Sequence, residues 1–105
     1  MKGLFVEEEE PETVIIKRSG QEFKFKIRKN ISWLERQRLL SKHVTIKPSG
    51  EFEIDWAGFT IDLALYAIVD APFEVTRENL ERLEESVGSE LERHLPLTSF
   101  RPATK

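Results

Sequence analysis

The sequence predicts an α+β domain, in which two β-hairpins form antiparallel sheet and three helices pack against them. Two stretches alternate apolar and polar residues around turn-forming residues, the period of a half-buried strand. A capping-box sequence opens a short helix. Two further stretches repeat apolar residues at helical spacing, one of them apolar nearly all round.

The first hairpin is expected over Thr13–Arg28. Ser19-Gly20 is a two-residue turn signal, and such a turn fixes the register. It sets Ile16 opposite Phe23 and Val14 opposite Phe25 on one face, and Lys17 opposite Glu22 as an attractive cross-strand pair. In the second strand Phe23, Phe25 and Ile27 face one way, and Lys24, Lys26 and Arg28 the other. Ser32-Trp33-Leu34-Glu35 is a capping box that starts a helix running to about Lys42. Trp33, Leu34 and Leu40 share one side of it, and Arg36 and Arg38 project elsewhere. The second hairpin is expected over Val44–Ile54, where Pro48-Ser49-Gly50 suits a type I turn followed by a left-handed glycine. Its register pairs Ile46 with Phe52 and Val44 with Ile54, again with all four apolar residues on one face.

Asp55–Asp70 reads as a helix with Trp56, Phe59, Ile61, Leu63, Leu65, Tyr66, Ile68 and Val69 pointing in every direction. Such a helix is either central to the core or partly covered by a partner. Pro72 ends it. Thr76 caps the last helix, with Val75 and Leu80 as a hydrophobic staple. Its stripe of Leu80, Leu83, Val87 and Leu91 lies within an arc of about 80°. Pro96 closes it. The domain therefore spans 13–97, between an acidic arm at 1–12, where Glu7–Glu10 repel one another and Pro11 interrupts any helix, and a loose tail at 98–105.

At 105 residues, 39% of them apolar and 33% charged, the chain has room for one core and one domain. It has no cysteine, which excludes disulfides and thiolate metal sites. No stretch approaches the ~20 apolar residues of a membrane span. The apolar run Leu4-Phe5-Val6 is too short for a secretory signal, so the expected location is the cytoplasm. The net charge of −3 is unevenly spread. Residues 17–47 hold ten Lys and Arg against two Glu, while 48–105 hold five basic residues against twelve acidic ones.

No residue pattern calls for catalysis, a metal or a cofactor. His43 and His94 are far apart in sequence, and His94 sits near a helix C-terminus, where the dipole favours a cation. Neither has a second polar group at a spacing that would make a ligand set or a general base. No Ser or Thr lies in a nucleophile-elbow or phosphate-loop context. Glu81, Glu84 and Glu85 form a solvated helix face. What remains is binding. The apolar residues Trp33, Trp56, Leu65 and Tyr66 are the candidates for holding a partner, and homo-oligomerisation is a second way to cover them.

From Phe23 to Leu97 the chain resembles tail assembly chaperones of long-tailed bacteriophages and prophages. The likeness is one of element pattern. It is carried by Phe25-Lys26-Ile27-Arg28, by Trp33-Leu34-Glu35-Arg36 with Leu39 and Leu40, and by the run Tyr66-Ala67-Ile68-Val69-Asp70-Ala71-Pro72-Phe73. Thr76-Arg77-Glu78-Asn79-Leu80-Glu81-Arg82-Leu83, Val87-Gly88 and Leu91 complete it. The resemblance implies a non-catalytic cytoplasmic chaperone that binds the long, apolar, helical tape-measure protein while the tail tube polymerises, and then leaves. It carries over no catalytic residue. The alternative, from another class, is a component that stays in the particle, such as a head–tail connector or tail-completion subunit.

The basic residues Lys24, Lys26, Arg28, Arg36 and Arg38 suggest a nucleic-acid footprint. Against it, Phe23 and Phe25 point away from the lysines and cannot serve as stacking platforms for bases. No RNP or helix-turn-helix sequence is evident. The basic strand face is therefore expected to act in protein association. In an electrophoretic assay neither duplex nor single-stranded DNA should shift at micromolar protein. A salt-sensitive shift abolished by Lys24→Glu with Lys26→Glu contradicts this reading.

Overall fold

The computed structural model describes residues 10–96. Residues 1–9 of the acidic arm expected at 1–12, and the tail expected at 98–105, lie outside the described residues. Within 10–96 the chain is α+β, with antiparallel sheets and four helices.

The first hairpin consists of β1 (Glu12–Arg18) and β2 (Gln21–Ile27). Ser19 and Gly20 both take positive φ, 52° and 75°, as a type I′ turn requires. The register is the one the turn dictates: Val14 faces Phe25, Ile16 faces Phe23 and Lys17 faces Glu22. Lys17 and Glu22 approach to 3.8 Å. Val14, Ile16, Phe25 and Ile27 are buried, and Lys24 and Lys26 are exposed. The strand begins at Glu12, so that residue belongs to the sheet and not to an arm.

Helix α1 (Trp33–Ser41) starts as the capping box requires, with the Glu35 amide donating to Ser32 Oγ at 3.1 Å. It turns at Lys42-His43 into β3 (Val44–Ile46), which pairs with β4 (Phe52–Ile54). Val44 faces Ile54 and Ile46 faces Phe52, as expected, around a turn in which Gly50 takes φ 93°. The two hairpins do not share a sheet, however. β3 and β4 form a separate two-stranded unit.

Helix α2 (Trp56–Ala67) is capped by Asp55, whose Oδ1 accepts the Gly58 amide at 3.0 Å. It ends three residues earlier than the apolar run suggests. Ile68–Asp70 leaves the helix as β5 and pairs with β2, placing Ile68 opposite Ile27 and Asp70 opposite Lys26 across a bulge. The β-branched pair Ile68-Val69 suits a strand, and β2 has a free edge to accept it. The Arg28 amide donates to the Ala67 carbonyl at 2.8 Å and joins the end of the helix to the sheet. The resulting sheet has the order β1-β2-β5.

The last predicted helix is two helices, α3 (Arg77–Glu81) and α4 (Glu85–Glu92), which corrects the expected three to four. Thr76 caps α3, its Oγ1 accepting the Asn79 amide at 3.1 Å. The chain then breaks, and Glu84, in extended conformation, caps α4. Hydrogen bonds from the hydroxyl and amide of Ser86, with Arg18 nearby, hold the Glu84 carboxyl below the usual carboxylate value. A folded pKa below the unfolded one stabilises α4 above the unfolded value. That contribution is lost as pH falls through the folded value. The apolar stripe survives the break: Leu80 and Leu91 are buried, and Leu83 and Val87 are half-buried.

The core lies between the inner sheet face and α2, with Phe59 and Ile27 fully buried. Two helical glycines make opposite predictions about packing. A Cβ on Gly58 would lie 2.5 Å from Asp55 Oδ2 and 2.7 Å from His43 Nδ1, whereas one on Gly88 meets nothing within 4 Å. Gly88→Ala should raise stability by about 0.5–1 kcal/mol through helix propensity. Gly58→Ala should lose that gain and cost about 1–3 kcal/mol through overpacking. Urea midpoints moving in opposite directions are the expected result.

Candidate functional site

Two regions of the described chain hold chemistry that the core does not absorb: a polar cluster at the base of the second hairpin and the apolar face of that hairpin.

The polar cluster is built by three separate elements. His43 precedes β3, Asp62 lies on α2 and Arg77 opens α3. His43 Nε2 is 2.6 Å from Asp62 Oδ2, and Arg77 Nη2 donates to Asp62 Oδ1. On the other side of the ring, His43 Nδ1 lies 3.9 Å from Asp55 Oδ2. The His43 and Asp62 side chains are largely buried, and the Arg77 side chain is half-exposed. Gly58 makes room for the imidazole to lie against the helix. The Asp55 amide donates to the His43 carbonyl at 2.8 Å, closing the hairpin at its base. Both ring nitrogens face carboxylates, an arrangement suited to bracing. Among the described residues no group of His, Cys, Asp and Glu is placed to hold a metal ion.

This cluster was not readable from sequence. The separations 43–62 and 62–77 follow no local period. The available signals were Asp62 and Gly58 inside an otherwise apolar helix, both unfavourable there unless the fold uses them.

The apolar face is the second region. Ile46 is 73% exposed, Phe52 67% and Val44 37%, while Ile54 is half-buried. The alternation correctly places these residues on one side, but among the described residues no helix covers that side. At the start of α1, Trp33 is 76% exposed and Leu34 is 60% exposed. The basic residues Arg38, Lys42 and Lys47 belong to the same stretch, with Lys47 paired to Glu53 at 3.1 Å.

Of the four anchors expected from sequence, only Trp33 stands in solvent. Trp56 is half-buried and packs edge-on against Phe59 at 6.0 Å. Leu65 is half-buried against the core. Tyr66 is half-buried beneath Arg28, whose guanidinium lies 5.2 Å from the ring centroid and whose Nε donates to the Tyr66 carbonyl at 3.1 Å. Nor do the anchors share a surface. Trp56 and Leu65 are nine residues apart on one helix, which places them roughly 180° apart around its axis.

The basic candidates also separate. Lys24 and Lys26 stand on the outer sheet face, Lys26 opposite Asp70, and Arg28 is engaged with Tyr66. Arg36 and Arg38 belong to α1, where Arg36 is half-buried and donates to Gln37 Oε1 at 3.3 Å.

Two apolar clefts flank the α3–α4 break. One of about 280 Å³ lies between the sheet and Pro72-Phe73, lined by Ile16, Phe23, Phe25, Leu83 and Val87, with Arg18 at its side. The other, of about 250 Å³, lies between α2 and the helices α3 and α4. In the first cleft the polar residue is Arg18, which donates to Ser86, and the second cleft also carries Thr60, Glu85, Ser89 and Glu92 on its lining.

No family model matches the chain, and no curated protein or solved structure matches it. Among the described residues no helix is long and apolar enough to cross a membrane.

Asp62 joins three elements, and its loss takes the partner from the largely buried His43 Nε2 and leaves Arg77 only Glu81, 3.8 Å away. Asp62→Ala should cost about 2–4 kcal/mol, read as a lower urea midpoint. Arg77→Ala, which removes a half-exposed partner, should cost less. Equal, negligible effects would show that the cluster braces nothing.

Proposed function

We propose that this chain is a non-catalytic protein-binding module whose docking surface is the apolar face of the β3–β4 hairpin together with the first turn of α1. The observation that carries the reading is the exposure of Ile46, Phe52 and Trp33 on elements whose polar base is fixed. An isolated two-stranded hairpin is marginal in water, and exposing its apolar residues leaves most of their burial energy unrealised. A partner that covers Ile46 and Phe52 supplies it.

The occupant is an apolar helical segment of another protein. An amphipathic helix places anchors at helical spacing against a short apolar strip and makes little demand on sequence. The cations Arg38 and Lys42, in the stretch that joins α1 to β3, favour acidic residues beside the helix's apolar stripe. This chemistry supports the role suggested by resemblance: a cytoplasmic tail assembly chaperone that keeps a long, apolar, helical tape-measure protein soluble during tail assembly. A subunit retained in the finished particle is the competing role, and the two differ in whether the protein leaves.

The test is co-expression with a tape-measure-like helical protein. The wild-type chain should form a complex and raise that protein's solubility. Phe52→Asp and Ile46→Asp should keep the monomer's thermal midpoint within about 3 °C, because the side chains are exposed, and should abolish the complex. Leu65→Asp is the contrasting control: its half-buried position means it should destabilise the fold. Capture unchanged by Phe52→Asp and Ile46→Asp overturns the proposed surface.

A further inference from the structure

We propose that β1 pairs edge to edge, antiparallel, with β1 of a second copy of this chain, about a dyad at Ile15. β1 lies at the outside of the β1-β2-β5 sheet. Among the described residues no backbone hydrogen bond reaches it from any element except β2. A long edge strand of this kind is a template for pairing unless something blunts it. Here its centre is Val14-Ile15-Ile16, with no proline, bulge or charge.

The hairpin settles which groups face outward. In a two-residue hairpin the pair beside the turn, Arg18 and Gln21, is a hydrogen-bonded pair, and such pairs alternate along the ladder. Arg18, Ile16, Val14 and Glu12 therefore bond β2, and Thr13, Ile15 and Lys17 present their N–H and C=O to the free edge. The Arg18 guanidinium donating to the Lys17 carbonyl at 3.0 Å agrees with that assignment.

These outward groups select one register. With Ile15 opposite Ile15 of the second copy, Thr13 faces Lys17, and all three outward residues exchange hydrogen bonds in both directions. Sliding by two residues leaves one of them without a partner, and sliding by one points the groups away from each other. The same register places Glu12 opposite Arg18 at both ends, an attractive pair, and sets Val14 against Ile16 on the buried face. On the outer face it brings the two Ile15 side chains together. Ile15 is 46% exposed in the single chain, an apolar residue among Lys17, Lys24 and Lys26. The charged ends already have internal neighbours: Glu12 Oε1 lies 3.7 Å from His94 Nδ1, and Arg18 donates to Ser86, which also bonds Glu84. Glu12, Arg18 and Ser86 are exposed, which leaves Glu12 and Arg18 able to exchange partners. The isologous pairing merges two sheets into one and closes the edge. If the docking reading above also holds, each particle carries two docking hairpins, which raises avidity for a repetitive helical partner.

Sedimentation of the full chain at about 50 µM should give a particle of twice the 12.2 kDa chain mass. Ile15→Lys puts two cations at the dyad, and Ile15→Pro removes an outward N–H while leaving the bonds to β2 in place. Each should weaken dimerisation by about tenfold or more, with the far-UV circular dichroism of Ile15→Lys unchanged. Arg18→Glu should weaken it, and Glu12→Arg with Arg18→Glu should restore it. Phe52→Asp should leave it intact, which separates this claim from the docking surface. A monomeric wild-type chain, a folded Ile15→Lys variant that dimerises as well as wild type, or no restoration by the double exchange overturns the proposal.

Discussion

Helix α2 is too apolar to rest on a surface, so the rest of the fold is arranged to provide walls for it. Phe59, Leu63, Ala64 and Ala67 are taken up by the sheet and by the helices beside it. The chain supplies those walls economically. Ile68–Asp70 leaves the helix and adds itself to the sheet, and the Ala67 carbonyl receives the Arg28 amide, so the helix terminus and β2 are joined directly. The supply then runs out. α1 is short, and it contributes one buried side chain, Leu39. The second hairpin adds no buried residue. The apolar surface that stays exposed is thus a consequence of how much of the small domain α2 consumes.

The polar cluster gives that exposed surface a fixed base. His43 stands where α1 passes into β3, and Asp62 holds it against α2 while Arg77 holds Asp62 from α3. Charge-assisted hydrogen bonds in a largely desolvated place are directional, and they fix orientation better than apolar contact does. The hairpin is therefore pinned at its polar root and open along its apolar face. Ordering a surface before binding reduces the entropy lost on association, which is the physical advantage of presenting the face on a braced hairpin.

Hairpin registers were legible in the sequence because turn chemistry and period-two alternation are local. Ser19-Gly20 and Gly50 need positive φ, and they take it. The starts of α1, α2 and α3 were legible for the same reason, since Ser32, Asp55 and Thr76 each cap within three residues. The boundary at Ala67 was not, because an apolar run fits a helix and a buried strand alike, and only the free edge of β2 decides between them. The break between α3 and α4 was hidden by a stripe that keeps its helical spacing across Arg82–Glu84. Burial was the least legible property. Alternation tells which side of β3–β4 is apolar, but whether anything covers that side depends on distant elements. The same limit misplaced Trp56, Leu65 and Tyr66, whose neighbours come from elsewhere in the chain, whereas Trp33 at the exposed start of a short helix was identifiable.

The central claim is that the β3–β4 face is incomplete until a partner covers it. Amide hydrogen exchange across residues 44–54 tests this directly, because exchange reports the local opening free energy of a hairpin held at one end. In the isolated protein the amides of β3 and β4 should exchange far faster than those of β2 and α2. Adding an amphipathic helical segment of a tape-measure-like protein should slow β3 and β4 by about tenfold or more while leaving the core amides unchanged. Protection of β3 and β4 that already equals the core in the isolated protein, or that does not respond to the segment, would contradict the account.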